Sequence, residues 1–167
     1  MLIHLQKWRL TKEFPYEKNS YQILKLNLDD LLEAKKWLIH SYQVCESFKS
    51  KEKFSVSDYD ALESFLSRFA RVCDLLFRKV FRSIDVYELE PQGSLLDVLN
   101  RSEKKGLVDS SSQAREWTEL RNQIVHDYAH HDLKTLFVDA LDFTPHVLKT
   151  IESTEQYCKN LFEKEPK

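Results

Sequence analysis

Glycine and proline are nearly absent from this chain, with two glycines and four prolines among 167 residues. Sheets and irregular loops rest on turns that these residues supply, so their scarcity favours long helices joined by few connections. The length suits one domain able to bury a real core, and 42% hydrophobic with 31% charged residues is ordinary for a globular chain. The expectation is a single all-α domain over residues 1–167, an antiparallel helical bundle of five to six helices, with residues 1–19 as an N-terminal extension.

The apolar pattern places the helices. Leu24, Leu28, Leu31, Ala34, Leu38 and Tyr42 recur at three- and four-residue spacings, which predicts a first long helix over about Ser20 to Phe48. After the polar break KSKEKFSVS, Ser57 with Asp60 three residues on reads as the cap of a second long helix, running to about Ser83. The stretch IDVYELEPQG reads as a connection. Ser94 with Asp97 caps a short third helix that ends at Lys104-Lys105-Gly106, with Gly106 suited to a left-handed cap. A fourth helix opens at DSSSQAREW, and a fifth begins near Asp132. Pro145 interrupts that last segment and, with Thr144 as cap, starts a new helix running to about Phe162.

On a helical wheel with Arg68 at zero, Arg71 falls at about 300°, Arg78 at about 280°, Arg82 at about 320° and Lys79 at about 20°. Leu62, Phe65, Phe69, Val72, Cys73, Leu76 and Val80 occupy the arc from about 40° to about 140°. The second helix thus has a core face and a basic stripe nearly opposite. Such a stripe is either a solvated face or a docking surface for RNA phosphates or an acidic partner.

Cys45, Cys73 and Cys158 are odd in number, far apart and each set in an apolar pattern, which reads as buried free thiols. The opening MLIHLQKWRL has no sustained apolar stretch before a small-residue cleavage site. No run approaches the ~18 apolar residues of a membrane span. A cytoplasmic chain is expected. The net charge of −2 argues against a surface coated with phosphate-binding charge, yet leaves room for a local patch.

The chemistry concentrates in ELRNQIVHDYAHHD, residues 119–132. Within it Arg121, His126 and Tyr128 take the form R-x4-H-x-Y. Histidine titrates near neutrality, so it can take a proton from a ribose 2′-hydroxyl or give one to a leaving oxygen. Arginine stays charged and holds non-bridging phosphate oxygens in two-point contact. RNA brings its own nucleophile, so this pair needs neither a metal nor a covalent intermediate. An arginine and a histidine at this separation are common; the tyrosine at a fixed offset is what makes the pattern rarer.

LRNQIVHDY resembles the signature of the HEPN family, in particular the HepT-like toxins. Residues 94–128, SLLDVLNRSEKKGLVDSSSQAREWTELRNQIVHDY, resemble the branch known as nucleotidyltransferase substrate-binding proteins, which show a short helix, a Gly-Leu-Val-like turn, a tryptophan and then the RN…H-x-Y run. The resemblance implies an all-α homodimer with two motifs facing each other across a cleft, and metal-independent RNA cleavage with Arg121 and His126 as catalytic positions. Asn122 and Asp127 fall in supporting positions, with Asn122 orienting the phosphate or the histidine. A small nucleotidyltransferase is the implied antitoxin, and Tyr128 the implied acceptor of the nucleotide it transfers. The alternative within the same branch is a non-catalytic substrate-binding or docking subunit of that nucleotidyltransferase.

Arg121 and His126 stand five residues apart, which is about 140° on an ideal helix, so their side chains diverge and a second chain is needed to complete a compact site. Trp117, Leu120, Ile124 and Tyr128 share one face, which gives Tyr128 a packing role as its bland reading. His126 and His130 are spaced for a zinc site with His131 and Asp132 following, but no further ligand lies at a convincing spacing. No metal or other cofactor is expected, and His130 and His131 read as a polar helix end.

Overall fold

The computed structural model describes residues 15–126 and 133–163, with side chains from residue 19 onward. Among these residues there is no strand. Five helical rods account for them. The first is α1 (Pro15–Cys45), prolonged by a 3-10 turn over Glu46–Ser50. The second is α2 (Val56–Asp74), a π-helical segment (Leu75–Val80) and α3 (Phe81–Tyr87) in unbroken succession. Then come α4 (Leu95–Lys104), α5 (Ser111–His126) and α6 (Leu133–Glu163). Most of the proposed N-terminal extension, and Asp127, Tyr128, His130, His131 and Asp132, lie outside the described residues.

The rods bury one contiguous apolar cluster. Leu24, Leu28, Leu31, Ala34 and Leu38 of α1 are all buried, as are all seven core-face residues of the second rod's wheel. Burying each such side chain is worth about 1.5–3 kcal/mol, which is what holds helices of modest intrinsic stability in place. Pairing is antiparallel where contacts define it. Along α1, Cys45 reaches Ala61, Ser41 reaches Arg68 and Asn27 reaches Ser83, so the partner's number rises as that of α1 falls. The same rule relates α1 to α6 through Tyr21–Phe162, Lys35–Glu152 and Lys49–Asp142.

Helix boundaries follow local chemistry, with four departures from the sequence reading. The first helix starts at Pro15 rather than Ser20, because proline suits the first helical position and the polar turn after it carries little periodic signal. The second helix is capped by Ser55 with Asp58, not by Ser57 with Asp60. Two S-x-x-D frames overlap there, and the chosen one places Asp58 where Lys51 also reaches it, at 2.6 Å. The second rod continues past Ser83 to Tyr87, since Ile84 and Asp85 are both buried and Asp85 is paired. Finally, α6 runs through Pro145 without a new start. Buried residues on both sides of the proline, from Leu136 to Cys158, form one continuous face, and that burial outweighs the cost of about 3 kcal/mol for a proline inside a helix.

The Ser94–Asp97 capping box forms as read. Gly106 takes a φ of 72°, with its N–H donating to Glu103 and that of Leu107 donating to Ser102, a Schellman turn. The three cysteines are free and buried, and burial pushes the thiol of Cys45 up to about 11, that of Cys158 up to about 12, and Cys73 upward too. Thiols so raised are poor nucleophiles. Among the described residues, no helix is long and apolar enough to cross a membrane.

Candidate functional site

The motif helix α5 is anchored before it presents anything. The Ser110 hydroxyl accepts from the Gln113 N–H, and the Glu103 carboxylate accepts from the Ser111 N–H, so the first turn is held from both sides. Trp117, Leu120 and Ile124 are buried, and Trp117 stacks on Phe77 with ring centroids 6.2 Å apart. That packing sets the roll of α5, and Arg121 consequently faces the second rod.

There its Nη2 donates to Asp74 Oδ2 at 2.6 Å, and its Nη1 donates to Asn122 Oδ1 at 3.0 Å. Its Nε is buried and has no hydrogen-bond partner. Asp74 also lies 3.3 Å from Arg78 Nε through Oδ1, an oxygen that makes no hydrogen bond. Arg121 therefore meets its carboxylate with one arm of the guanidinium fork while further donors stay uncommitted.

These residues line a groove of about 750 Å³ between α2, the π segment and α5. Arg71, Arg78, Lys79 and Arg121 supply its cations, and Glu63 and Asp74 its carboxylates. Among the described residues the side chains of Arg71 and Lys79 make no hydrogen bond or ion pair. The π segment matters to this arrangement. Phe81 N–H bonds to Leu76 O, five residues back, and such a turn rotates less per residue than an α-helix. Leu76 and Val80 keep to the core, while Lys79, near the core arc on an ideal wheel, opens into the groove.

Of the residues singled out in the sequence, the structure brings Arg121, Arg71 and Arg78 to one groove and sets Asn122 beside Arg121. Arg68 and Arg82 are engaged elsewhere on the chain: Arg68 with Ser41 Oγ and the Trp37 carbonyl, Arg82 with the Gly93 carbonyl at 3.2 Å. His126 is exposed at the last position of α5 and is not part of the groove lining. The divergence expected on the wheel is thus present in the single chain. Asp127 and Tyr128 lie outside the described residues, as does the His130 half of the histidine pair. Among the described residues, no group of three or more His, Cys, Asp or Glu is placed to hold a metal ion.

Sequence reasoning missed Asp74. Its signal was present, an acid one helical turn before Arg78 on the basic face, but its link to Arg121 spans 47 positions. No family model, no curated protein and no solved structure matches the chain.

Proposed function

We propose that this chain is a metal-independent RNA endonuclease of the HEPN type, the toxin of a pair in which a small nucleotidyltransferase is the antitoxin. The supporting fold is an antiparallel helical bundle that works as a homodimer. The observation that carries the reading is the guanidinium of Arg121 set in a groove with Arg71, Arg78 and Lys79, two of which have no partner among the described residues. A phosphodiester is the ligand class that uses several cations at once with forked donors.

In this reaction His126 takes the proton of a ribose 2′-hydroxyl, and the oxygen so freed attacks the adjacent phosphorus. The bond to the 5′-oxygen breaks, that oxygen takes up a proton, and the products are a 2′,3′-cyclic phosphate and a 5′-hydroxyl. Arg121 stabilises the charge building on the non-bridging oxygens. Because His126 lies outside the groove of its own chain, the compact site uses a second copy, with the two motifs meeting at a dimer axis. Neutralisation proceeds by transfer of AMP from ATP to the Tyr128 hydroxyl, with pyrophosphate leaving. The added bulk and negative charge then compete with the substrate phosphate.

One observation favours the second reading, a non-catalytic docking subunit for the nucleotidyltransferase: Arg121 is already ion-paired to Asp74. Incubation with RNA in EDTA separates the two. The endonuclease yields 2′,3′-cyclic phosphate ends, and Arg121→Ala and His126→Ala each slow their formation by about 10²-fold or more. If both variants cut like wild type, the site assignment is wrong. If wild type never cuts yet co-purifies with the nucleotidyltransferase, the docking reading replaces it.

A further inference from the structure

Three depressions on the second rod are joined end to end. The groove at Arg121 shares Ser67 and Arg71 with a hollow of about 450 Å³ on one side, and shares Arg78 and Lys79 with a smaller one on the other. The first hollow has an aromatic floor. Trp37 of α1 is 54% exposed, although it sits among residues whose neighbours Ala34 and Leu38 are buried. The Arg68 guanidinium lies 5.4 Å from its ring centroid, and His40 meets its edge at 6.3 Å. Arg68 is pinned there by the Ser41 hydroxyl and the Trp37 carbonyl, so the pair is held in place from within.

From Arg68 to Asp74, the partner of Arg121, is six residues, about 9 Å along a helix axis. A ligand reaching from Arg121 past Arg71 to Trp37 must offer phosphate first and a planar ring shortly after. Asp30 and Glu33 also line the hollow, and Glu33 is held by Lys36 at 2.6 Å. Their charge steers a phosphate backbone to the Arg71 side and leaves the ring side to Trp37. Single-stranded RNA has this form, because cationic grooves with an aromatic platform bind unpaired bases by stacking. An acidic protein segment matches the cations but gives no reason for the carboxylates beside the ring.

We propose that Trp37, backed by Arg68, is a base-stacking subsite that holds an unpaired nucleotide next to the phosphate bound at Arg121. The subsite rests on the endonuclease reading, and it makes the enzyme selective for single-stranded over duplex RNA.

The test uses the full chain and a fluorescein-labelled single-stranded RNA made uncleavable by 2′-O-methylation, with binding read by anisotropy. Trp37→Ala weakens binding roughly five- to a hundred-fold, while Trp37→Phe retains most of it. An RNA carrying an abasic position at the stacked nucleotide binds wild type as weakly as intact RNA binds Trp37→Ala, and loses nothing further against that variant. Circular dichroism melts report folding; the exposure of Trp37 leaves the core intact on truncation. Unchanged affinity in a folded Trp37→Ala overturns the subsite. So does loss of nucleotidyltransferase co-purification in Trp37→Ala with RNA affinity unchanged, which assigns the surface to that partner. The two readings separate cleanly. Cleavage by wild type with Trp37-independent binding removes the subsite alone, Trp37-dependent binding without cyclic phosphate products removes the endonuclease alone, and no binding by wild type removes both.

Discussion

Asp74 and Asp85 sit on the same rod, on either side of the π segment, and each is ion-paired to another helix, Asp74 through Arg121 and Asp85 through Arg101. They are built differently. The side chain of Asp85 is 9% exposed and spends both oxygens: Oδ2 accepts from Arg101 at 2.6 Å, and Oδ1 from Lys105 at 2.9 Å. Lys105 also pairs with Glu88, which in turn accepts from the Tyr157 hydroxyl of α6 at 2.6 Å. The cluster ties α3, α4 and α6 together, with the carboxylates of Asp85, Glu88 and Glu90 around the two cations Arg101 and Lys105. Asp74 is 35% exposed and leaves Oδ1 without a hydrogen bond, while Arg71 and Lys79 beside it stay unpaired among the described residues. A structural ion cluster closes on itself. A surface meant for an anionic ligand keeps cationic capacity in reserve, and that contrast separates the two better than the count of charges does.

The sharpest way to break the comparison is to remove each aspartate. Asp85→Ala leaves the largely buried Arg101 without its counter-charge and takes from Lys105 one of its carboxylates, and should cost about 3–5 kcal/mol in urea unfolding. Asp74→Ala should cost less, about 1–3 kcal/mol, since Asp74 is itself 35% exposed and Arg78 reaches solvent, although Arg121 is largely buried and loses its counter-charge. Equal losses would show that Asp74 too is structural.

Arg121→Ala should next lower the rate of RNA cleavage by about 10²–10³-fold, the effect of losing one transition-state donor, with little change in melting temperature. A large drop in stability with activity retained per folded molecule would move Arg121 into the structural class.

Alkaline titration reads the closed cluster alone. Burial by itself lowers the pKa of Lys105, but its hydrogen bonds to Glu88 and Asp85 outweigh that and raise it to about 12. Burial, and then the Glu88 carboxylate, push the Tyr157 hydroxyl up to about 12 as well. Both are raised above their unfolded values, so their stabilisation is complete below about pH 10 and is lost as pH rises through about 12. The Lys105 share is about 2 kcal/mol at one pKa unit per 1.36 kcal/mol. Lys105→Met should flatten that part of the stability profile, and an unchanged slope between these pH values would count against the cluster's role.

The smallest effect concerns the approach to α5. Gly106→Ala meets no atom within 4 Å, so its cost is that of a positive φ alone, about 1 kcal/mol. A cost several times larger would mean that the turn carries more than conformation.

Much of the fold was legible because helical periodicity is local. The buried faces of α1 and α2, the Ser94 box and the Gly106 turn all depend on residues within a few positions of one another. Pro145 misled because its local cost is visible in the sequence, whereas the burial that overrides it comes from other helices. The π turn after Asp74 was not legible, because it is a response to packing and leaves no mark in composition. At the site, Arg121 and Asn122 were legible from the motif, and Arg71 and Arg78 from the stripe. That motif and stripe meet was not legible, since the encounter depends on how α5 rolls against α2.

Scarcity of glycine and proline, apolar spacing and capping residues were enough by themselves to determine a helical chain and the core faces of its first two long helices. These are short-range effects, and each residue carries its own share of them. Tertiary structure alone decided which arginines remain available. Arg68 and Arg82 are turned to their own chain, and Arg71 is left open, because a guanidinium is satisfied by whichever oxygen packing brings within reach.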